Sequence, residues 1–324
     1  MKNWFTKNYS LKHSISGLLL AVSCTAVAQQ EPQYTQFAFN KLAFNPGYAG
    51  SHVSPMLTAI YRNQWIGIDG APNTQVLSYN QPFLGERLGF GATLTRSSIG
   101  ITRSITADIA YCYRIKMRRG YLGIGLQFSP RNIFQNWNDD RLYSPTPAGT
   151  DIAIPVDATS KWVINFGAGM YYKNDKWFAG FAITRAVNNN IDFVENGSEL
   201  SREAWHLNGM GGVNLKVADE LVVTPQLLLK YVPHAPFDAE VNVGAMLKGK
   251  FYGGLGYRVG GDTGAGESVD ILVGVRAIPN LFFCLSYDIG LTRLRKFNNG
   301  SIEATVSWDF NPPAPGDVDD GINF

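Results

Sequence analysis

Histidine, cysteine and charge are all scarce in this sequence, and each shortage closes off a class of function. Of 324 residues, four are histidine, three are cysteine and 17% are charged. Cys112 and Cys284, the two cysteines beyond the leader described below, make no disulfide framework and lack the paired spacing of a zinc site, so they read as small filler residues. No Gly-x-Ser-x-Gly elbow or His-Glu-x-x-His run surrounds His52, His206 or His234. His206, at the mouth of a strand, and His234, in a Pro-flanked loop, read as ordinary surface histidines. No catalytic residue, cofactor site or metal site is therefore expected.

A basic excess is missing too. Met1 to Ala28 carry three lysines and no acid, so the 28 basic residues fall to 25 against 26 acidic ones, a formal charge of −1. That balance gives no electrostatic hold on nucleic acid. Beyond the leader there is also no apolar run of the ~18–20 residues that a spanning helix requires.

Lys2, Lys7 and Lys12, the apolar run Ile15 to Val22 and the small-x-small site Ala26-Val27-Ala28 make residues 1–28 a signal peptide cut before Gln29. A lipidated Cys24 is the competing reading, disfavoured by Ala21 in the position that leucine normally holds. The mature chain is rich in glycine (34 in all) and in aromatics (13%). Those two riches and the low charge fit one architecture, a transmembrane barrel whose strands are oily on every second position.

Alternation carries that expectation. Ile302, Ala304, Val306, Trp308 and Phe310 alternate with Ser301, Glu303, Thr305, Ser307 and Asp309, and Ile105 to Lys116 repeat the pattern. Such segments lie near 55–65, 73–81, 87–97, 103–116, 120–129, 161–173, 176–185, 204–217, 221–231, 239–248, 251–259, 267–278, 281–292 and 300–310. Their number, about fourteen, is even, as a single-chain antiparallel barrel requires. Pro225 removes a ladder hydrogen bond from 221–231, which fits least well. Every second connection is tight, whereas those at 130–160 and 186–203 are long and should face the exterior. Residues 29–54 should pack in the lumen or across the periplasmic mouth, residues 55–310 form the barrel, and 311–324 are an acidic, proline-containing periplasmic tail.

By parity Arg62, Asp108, Arg114, Arg258, Asp270, Arg276 and Asp288 face inward. They are a candidate lumen network, either bracing the wall or lining a water channel. Trp65, Trp162, Tyr231 and Tyr257 at one end, and Tyr121, Tyr172, Trp177, Phe251, Trp308 and Phe310 at the other, read as interface belts. Gly261 to Ser268 nearly matches a phosphate loop, but Glu267 stands at the lysine position; Asp317 to Gly321 is a shortened calcium loop that lacks its closing glutamate.

Several blocks then resemble one family. Pro32-Gln33-Tyr34-Thr35-Gln36-Phe37, the turn Asn45-Pro46-Gly47-Tyr48-Ala49-Gly50, the block Arg62-Asn63-Gln64-Trp65 and the block Gly70-Ala71-Pro72-Asn73-Thr74-Gln75 are similar to those of the PorP/SprF family. Tyr111 to Ile115 resembles a later block, with Cys112 where alanine is more usual, and Gly47 stands where alanine is expected. The resemblance implies an outer-membrane protein of the type IX secretion system of Bacteroidetes, either a core component or the dedicated partner of one secreted surface protein. Implied partners are outer-membrane lipid, other type IX components on the periplasmic side, and a secreted protein with a type IX C-terminal domain, such as a gliding adhesin. A non-enzymatic scaffold is the expected function, a passive porin-like diffusion channel the alternative, and a lipid-modifying enzyme the weakest reading because no nucleophile and base are found.

Overall fold

The computed structural model describes residues 34–139, 141–142, 158–193, 201–260 and 266–312. The leader, Cys24, most of the acidic tail, the calcium-like Asp317 to Gly321 and the start of the glycine-rich 261–268 loop lie outside them. Fifteen strands follow in order: β1 Met56–Asn63, β2 Asn73–Phe83, β3 Leu88–Ile99, β4 Thr102–Lys116, β5 Tyr121–Gln135, β6 Thr159–Lys173, β7 Trp177–Thr184, β8 His206–Val213, β9 Leu215–Ala218, β10 Leu221–Tyr231, β11 Asp238–Leu247, β12 Phe251–Val259, β13 Ser268–Ile278, β14 Leu281–Gly290 and β15 Ser301–Asp309. Neighbours in sequence pair antiparallel, except that β8 and β9 lie end to end and both pair with β10, and β1 pairs with β15. The sheet is thus a closed barrel with no free edge, the arrangement that satisfies backbone groups in lipid. Among the described residues no helix is long and apolar enough to cross a membrane.

The walls obey the alternation. In β15, Ser301, Glu303, Thr305 and Ser307 are buried inside, while Ile302, Val306 and Trp308 are exposed on the outer surface. Fourteen positions make up the ring, because the expected strand 204–217 is divided into β8 and β9. The division has a local cause. Pro225 of β10 has no N–H to give, and the partner strand breaks opposite it: β8 pairs with Gln226–Tyr231, β9 with Leu221–Val223. Asn214 at the break instead accepts from the Thr224 hydroxyl at 3.0 Å.

A second difference concerns the loop expected at 130–160. β5 runs on to Gln135, with Pro130 inside it. The β4–β5 ladder skips Ala107 and Asp108 opposite Ser129 and Pro130, so no donor is missed there. β4, β5 and β6 are each 15 residues long, whereas β7 and β8 have eight. At ~3.4 Å per residue, one side of the wall is nearly twice as tall as the other. Short turns gather at one end, including Lys248-Gly249, where both residues have positive φ (55° and 60°) as a tight hairpin turn requires. Most long connections gather at the other.

Candidate functional site

The lumen is filled by the chain's own N-terminal segment. From Tyr34 the chain makes short 3-10 turns at Phe37–Phe39, Lys41–Ala43 and Pro46–Tyr48, then leaves at the short-turn end to enter β1. Local chemistry shapes the last turn: proline presets its first residue, and the Asn45 side chain accepts from Gly47 N–H at 2.8 Å. The same side chain donates to the Met170 carbonyl at 2.9 Å, tying the turn to the wall.

The wall is cut to receive it. A Cβ at Gly125 would stand 2.3 Å from the Pro46 carbonyl, one at Gly123 2.3 Å from the Gly47 carbonyl, and one at Gly89 2.0 Å from the Ala49 carbonyl. Only glycine permits this approach of backbone to backbone. Cys112 lies in the same seat, its Sγ 3.3 Å from the Gly47 carbonyl. On another part of the wall, also near the short turns, Phe39 packs against Tyr252 and Phe282, each at 5.1 Å between ring centres, within a cluster that includes Met246, Leu272 and Cys284. Lys41 donates to the Ala38 carbonyl at 2.6 Å. Burial, with repulsion from the Lys173 ammonium, brings the Lys41 pKa down to about 7. Burial likewise holds the His52 imidazole well below its ordinary value, with its Nε2 2.9 Å from the Tyr48 hydroxyl.

Towards the long-loop end the segment meets charge. Glu303 accepts the Thr35 and Gln36 backbone N–H groups, each at 2.9 Å. Arg62 bridges Glu303 (3.0 Å) and Asp288 (2.7 Å), and the Thr35 hydroxyl donates to Asp288 at 2.6 Å. Arg258 lies beside Glu240 (3.2 Å), Asp270 (3.9 Å) and the Thr35 hydroxyl (3.3 Å). All six charged residues are buried. Charges in such a setting survive only when paired and hydrogen-bonded, and here the segment's own amides supply part of the pairing.

Four of the seven expected network residues, Arg62, Arg258, Asp270 and Asp288, thus meet in one cluster. The others lie elsewhere. Asp108 belongs to a second group across the barrel, 3.3 Å from Arg185, and Arg185 and Arg131 both approach Glu203, at 3.9 and 3.1 Å. Arg114 stacks over the Tyr121 ring at 4.7 Å near the short turns. Arg276 is half-buried at that end, its backbone N–H donating to the Lys250 carbonyl at 2.7 Å. Three further expectations are corrected. Tyr121 shares the inward face of Gly123 and Gly125 and leaves the belt; Trp65 lines a cavity at the long-loop mouth; His206, expected on the surface, is buried because it starts β8 with inward parity.

The family model for the type IX secretion system membrane protein PorP/SprF matches residues 26–308. The chain belongs to the PorP/SprF family. No curated protein matches it. Among solved structures, the CymD monoaromatic hydrocarbon channel is similar at 13% identity and a TM-score of 0.52, over 84% of this chain and 93% of that one. Omp33 of Acinetobacter baumannii (7%, TM-score 0.47, over 81% and 100%) and a Pseudomonas aeruginosa FadL homologue (13%, TM-score 0.46, over 87% and 95%) are also similar. At 13% identity the likeness to CymD speaks for the fold alone, that of outer-membrane barrels.

In this PorP/SprF chain the motif residues occupy two places. Asn45, Pro46 and Gly50 form the seat of the plug, where Gly50 (φ 73°) lies against Gly89. Arg62, Asn63, Gln64, Trp65, Gly70, Ala71, Pro72 and Thr74 form the end of β1, its loop and the start of β2, closed by Gln64 N–H donating to the Pro72 carbonyl at 3.0 Å. The charged cluster also takes in Glu240 and Glu303, which carry the inward parity of their strands but were not expected in the network, and Thr35 and Gln36, which the sequence marks only as part of a family block.

Proposed function

We propose that this PorP/SprF barrel is a non-conducting outer-membrane scaffold that supports secretion or surface attachment of a partner protein through the type IX system. The observation behind the reading is the lumen filled by residues 34–54, seated on wall glycines and pinned to Glu303. An open diffusion channel requires a continuous water path, which that segment occupies, so the channel alternative loses its main physical support. The signal peptide directs export, the short turns face the periplasm, and the long loops face outward, where they engage the secreted partner. The charged clusters brace the wall and the plug rather than line a pore.

Two measurements test this. Purified protein in planar bilayers gives no stable open-pore current; steady conductance would restore the channel reading. A strain lacking the gene grows but fails to secrete or display one surface protein; unchanged surface display would refute the scaffold role.

A further inference from the structure

At the long-loop end, directly above the charged cluster, lies a cavity of about 180 Å³ whose lining includes Arg62, Trp65, Asp238, Arg258, Glu267 and Asp288. It is smaller than the roughly 300 Å³ at which pockets for drug-sized molecules begin. One side chain is the scale of guest that fits. Counting the cavity lining with the pairs beneath it, six carboxylates (Asp238, Glu240, Glu267, Asp270, Asp288 and Glu303) meet three bases, Arg62, Lys230 and Arg258.

The surplus of acid is matched by unmade hydrogen bonds. Asp288 is 3% exposed, and while its Oδ2 holds Arg62 and Thr35, its Oδ1 has no hydrogen-bond partner in the structure. Glu240 Oε1 and both oxygens of Asp270 are in the same state just below. Against these four carboxylate oxygens stand three donors in the same state, Arg62 Nε, the Ser268 hydroxyl and Asn242 Nδ2, so acceptors outnumber donors by one. A buried acceptor without a partner costs free energy that a bound donor would recover. Among the described residues, no group of three or more histidine, cysteine or acidic side chains is arranged to hold a metal ion, so an organic donor suits the site better than a bare ion.

The rim adds a third feature. Trp65 lines the cavity with a backbone φ of 49°, a left-handed conformation that is unusual for a bulky residue, and its N–H donates to the Ser301 hydroxyl at 3.2 Å. Strain of this kind collects at ligand clamps. An indole beside carboxylates is the pairing that receives a guanidinium or ammonium group, through its ring face and through charge.

We propose that this cavity binds a single organic cation, in the first place the arginine or lysine side chain of the secreted polypeptide. The choice of a polypeptide source rests on the scaffold reading above, but binding itself can be measured without it. A guanidinium can bind while surface display proves independent of the chain, and the reverse outcome is equally readable.

The test is calorimetric titration of the purified full-length protein in detergent. One probe is a capped glycine-serine peptide carrying a central arginine, and its control carries citrulline, the uncharged isostere. Ethylguanidinium serves as a free small cation. Expected are binding of the arginine peptide, at least tenfold weaker binding of the citrulline peptide, and at least tenfold weakening by Glu267→Gln or Asp288→Asn. Should Asp288→Asn fail to fold because Arg62 has lost its partner, Glu267→Gln at the rim carries the test. Ethylguanidinium binding as tightly as the peptide supports the cationic site and identifies its source as a free small molecule; weaker binding supports it and identifies a polypeptide side chain. Equal affinity for the arginine and citrulline peptides, tighter binding of an acidic peptide, or no binding of any guanidinium probe would overturn the proposal. The last result is the one expected if protons alone neutralise the excess carboxylates.

Discussion

A single methyl group in the wall should unseat the plug. Gly125 faces the Pro46–Gly47 peptide, and a Cβ there would lie 2.3 Å from the Pro46 carbonyl carbon and oxygen and 2.6 Å from Gly47 nitrogen. Ordinary contact begins near 3.4 Å, so the turn must retreat by about 1 Å, and these are backbone atoms with no rotamer to change. Asn45 resists the retreat through its bond to Met170. Overpacking of this kind costs ~1–3 kcal/mol. Taking ~2 kcal/mol, the displaced-plug population rises roughly 30-fold. Single-channel recording of Gly125→Ala should therefore show brief openings far more often than the parent protein, and limited proteolysis should cut the 34–54 segment faster. Gly253→Ala is the control, because it adds the same methyl on β12 where nothing lies within 4 Å. If Gly125→Ala and Gly253→Ala behave alike, as silent and as protease-resistant as the parent, the glycine seat does not hold the plug and the reasoning fails.

Three other outcomes are expected. Glu303→Gln removes the charge that Thr35, Gln36 and Arg62 share; protection of the N-terminal segment from protease should fall by ~3 kcal/mol, the scale of a broken buried pair. Lys41 titrates near pH 7 in the plugged state, below its ordinary 10.5, because of burial first and Lys173 second. The released segment thus binds the proton more strongly, so plug retention rises with pH between about 7 and 10.5 and is least below about 7; protease resistance measured across that range should show the rise, and Lys41→Met should flatten it. Leu126→Arg, on the outer face at 68% exposure, should cost ~2–4 kcal/mol if the position lies at mid-bilayer, seen as a lower melting temperature in electrophoretic heat-modifiability; no change would mean that this face does not meet lipid.

Much of the wall was readable because the rule behind it is severe. Ser301 to Phe310 alternate without exception, since lipid outside and a packed interior inside leave no latitude at either face. The break at Asn214 was not readable from its own strand: its cause, Pro225, lies on the neighbour. The extension of β5 past Pro130 was hidden for a similar reason, because a skipped pair in β4 makes that proline harmless. The lumen segment is the part least visible to periodicity. Phe39 and Tyr48 carry no repeat, and their partners, Tyr252 and Phe282 for the first and Tyr171 for the second, come from strands far along the chain. Parity placed Arg62, Arg258, Asp270 and Asp288 inside, but facing inward is not the same as meeting. Asp108 and Arg114 share that parity and end up in other groups because they stand at different heights and on another side of the ring.

The two ends of the segment are held by different physics, and this bears on what an emptied barrel would be. At the short-turn end the seat is steric, wall glycines against plug backbone, and it disappears with the plug at little cost to the wall. At the other end Glu303 depends on the Thr35 and Gln36 amides, so withdrawing the segment strips two hydrogen bonds from a buried carboxylate, and nearer the short turns it exposes the face of Tyr252, Leu272 and Phe282 that Phe39 covers. A lumen with that aromatic patch on its wall is a poor conduit for water, because wetting apolar surface costs ~25 cal/mol per Å². The interior is complementary to a peptide, and deleting residues 34–54 should therefore yield a barrel that is less stable and only intermittently conducting, not a porin uncovered.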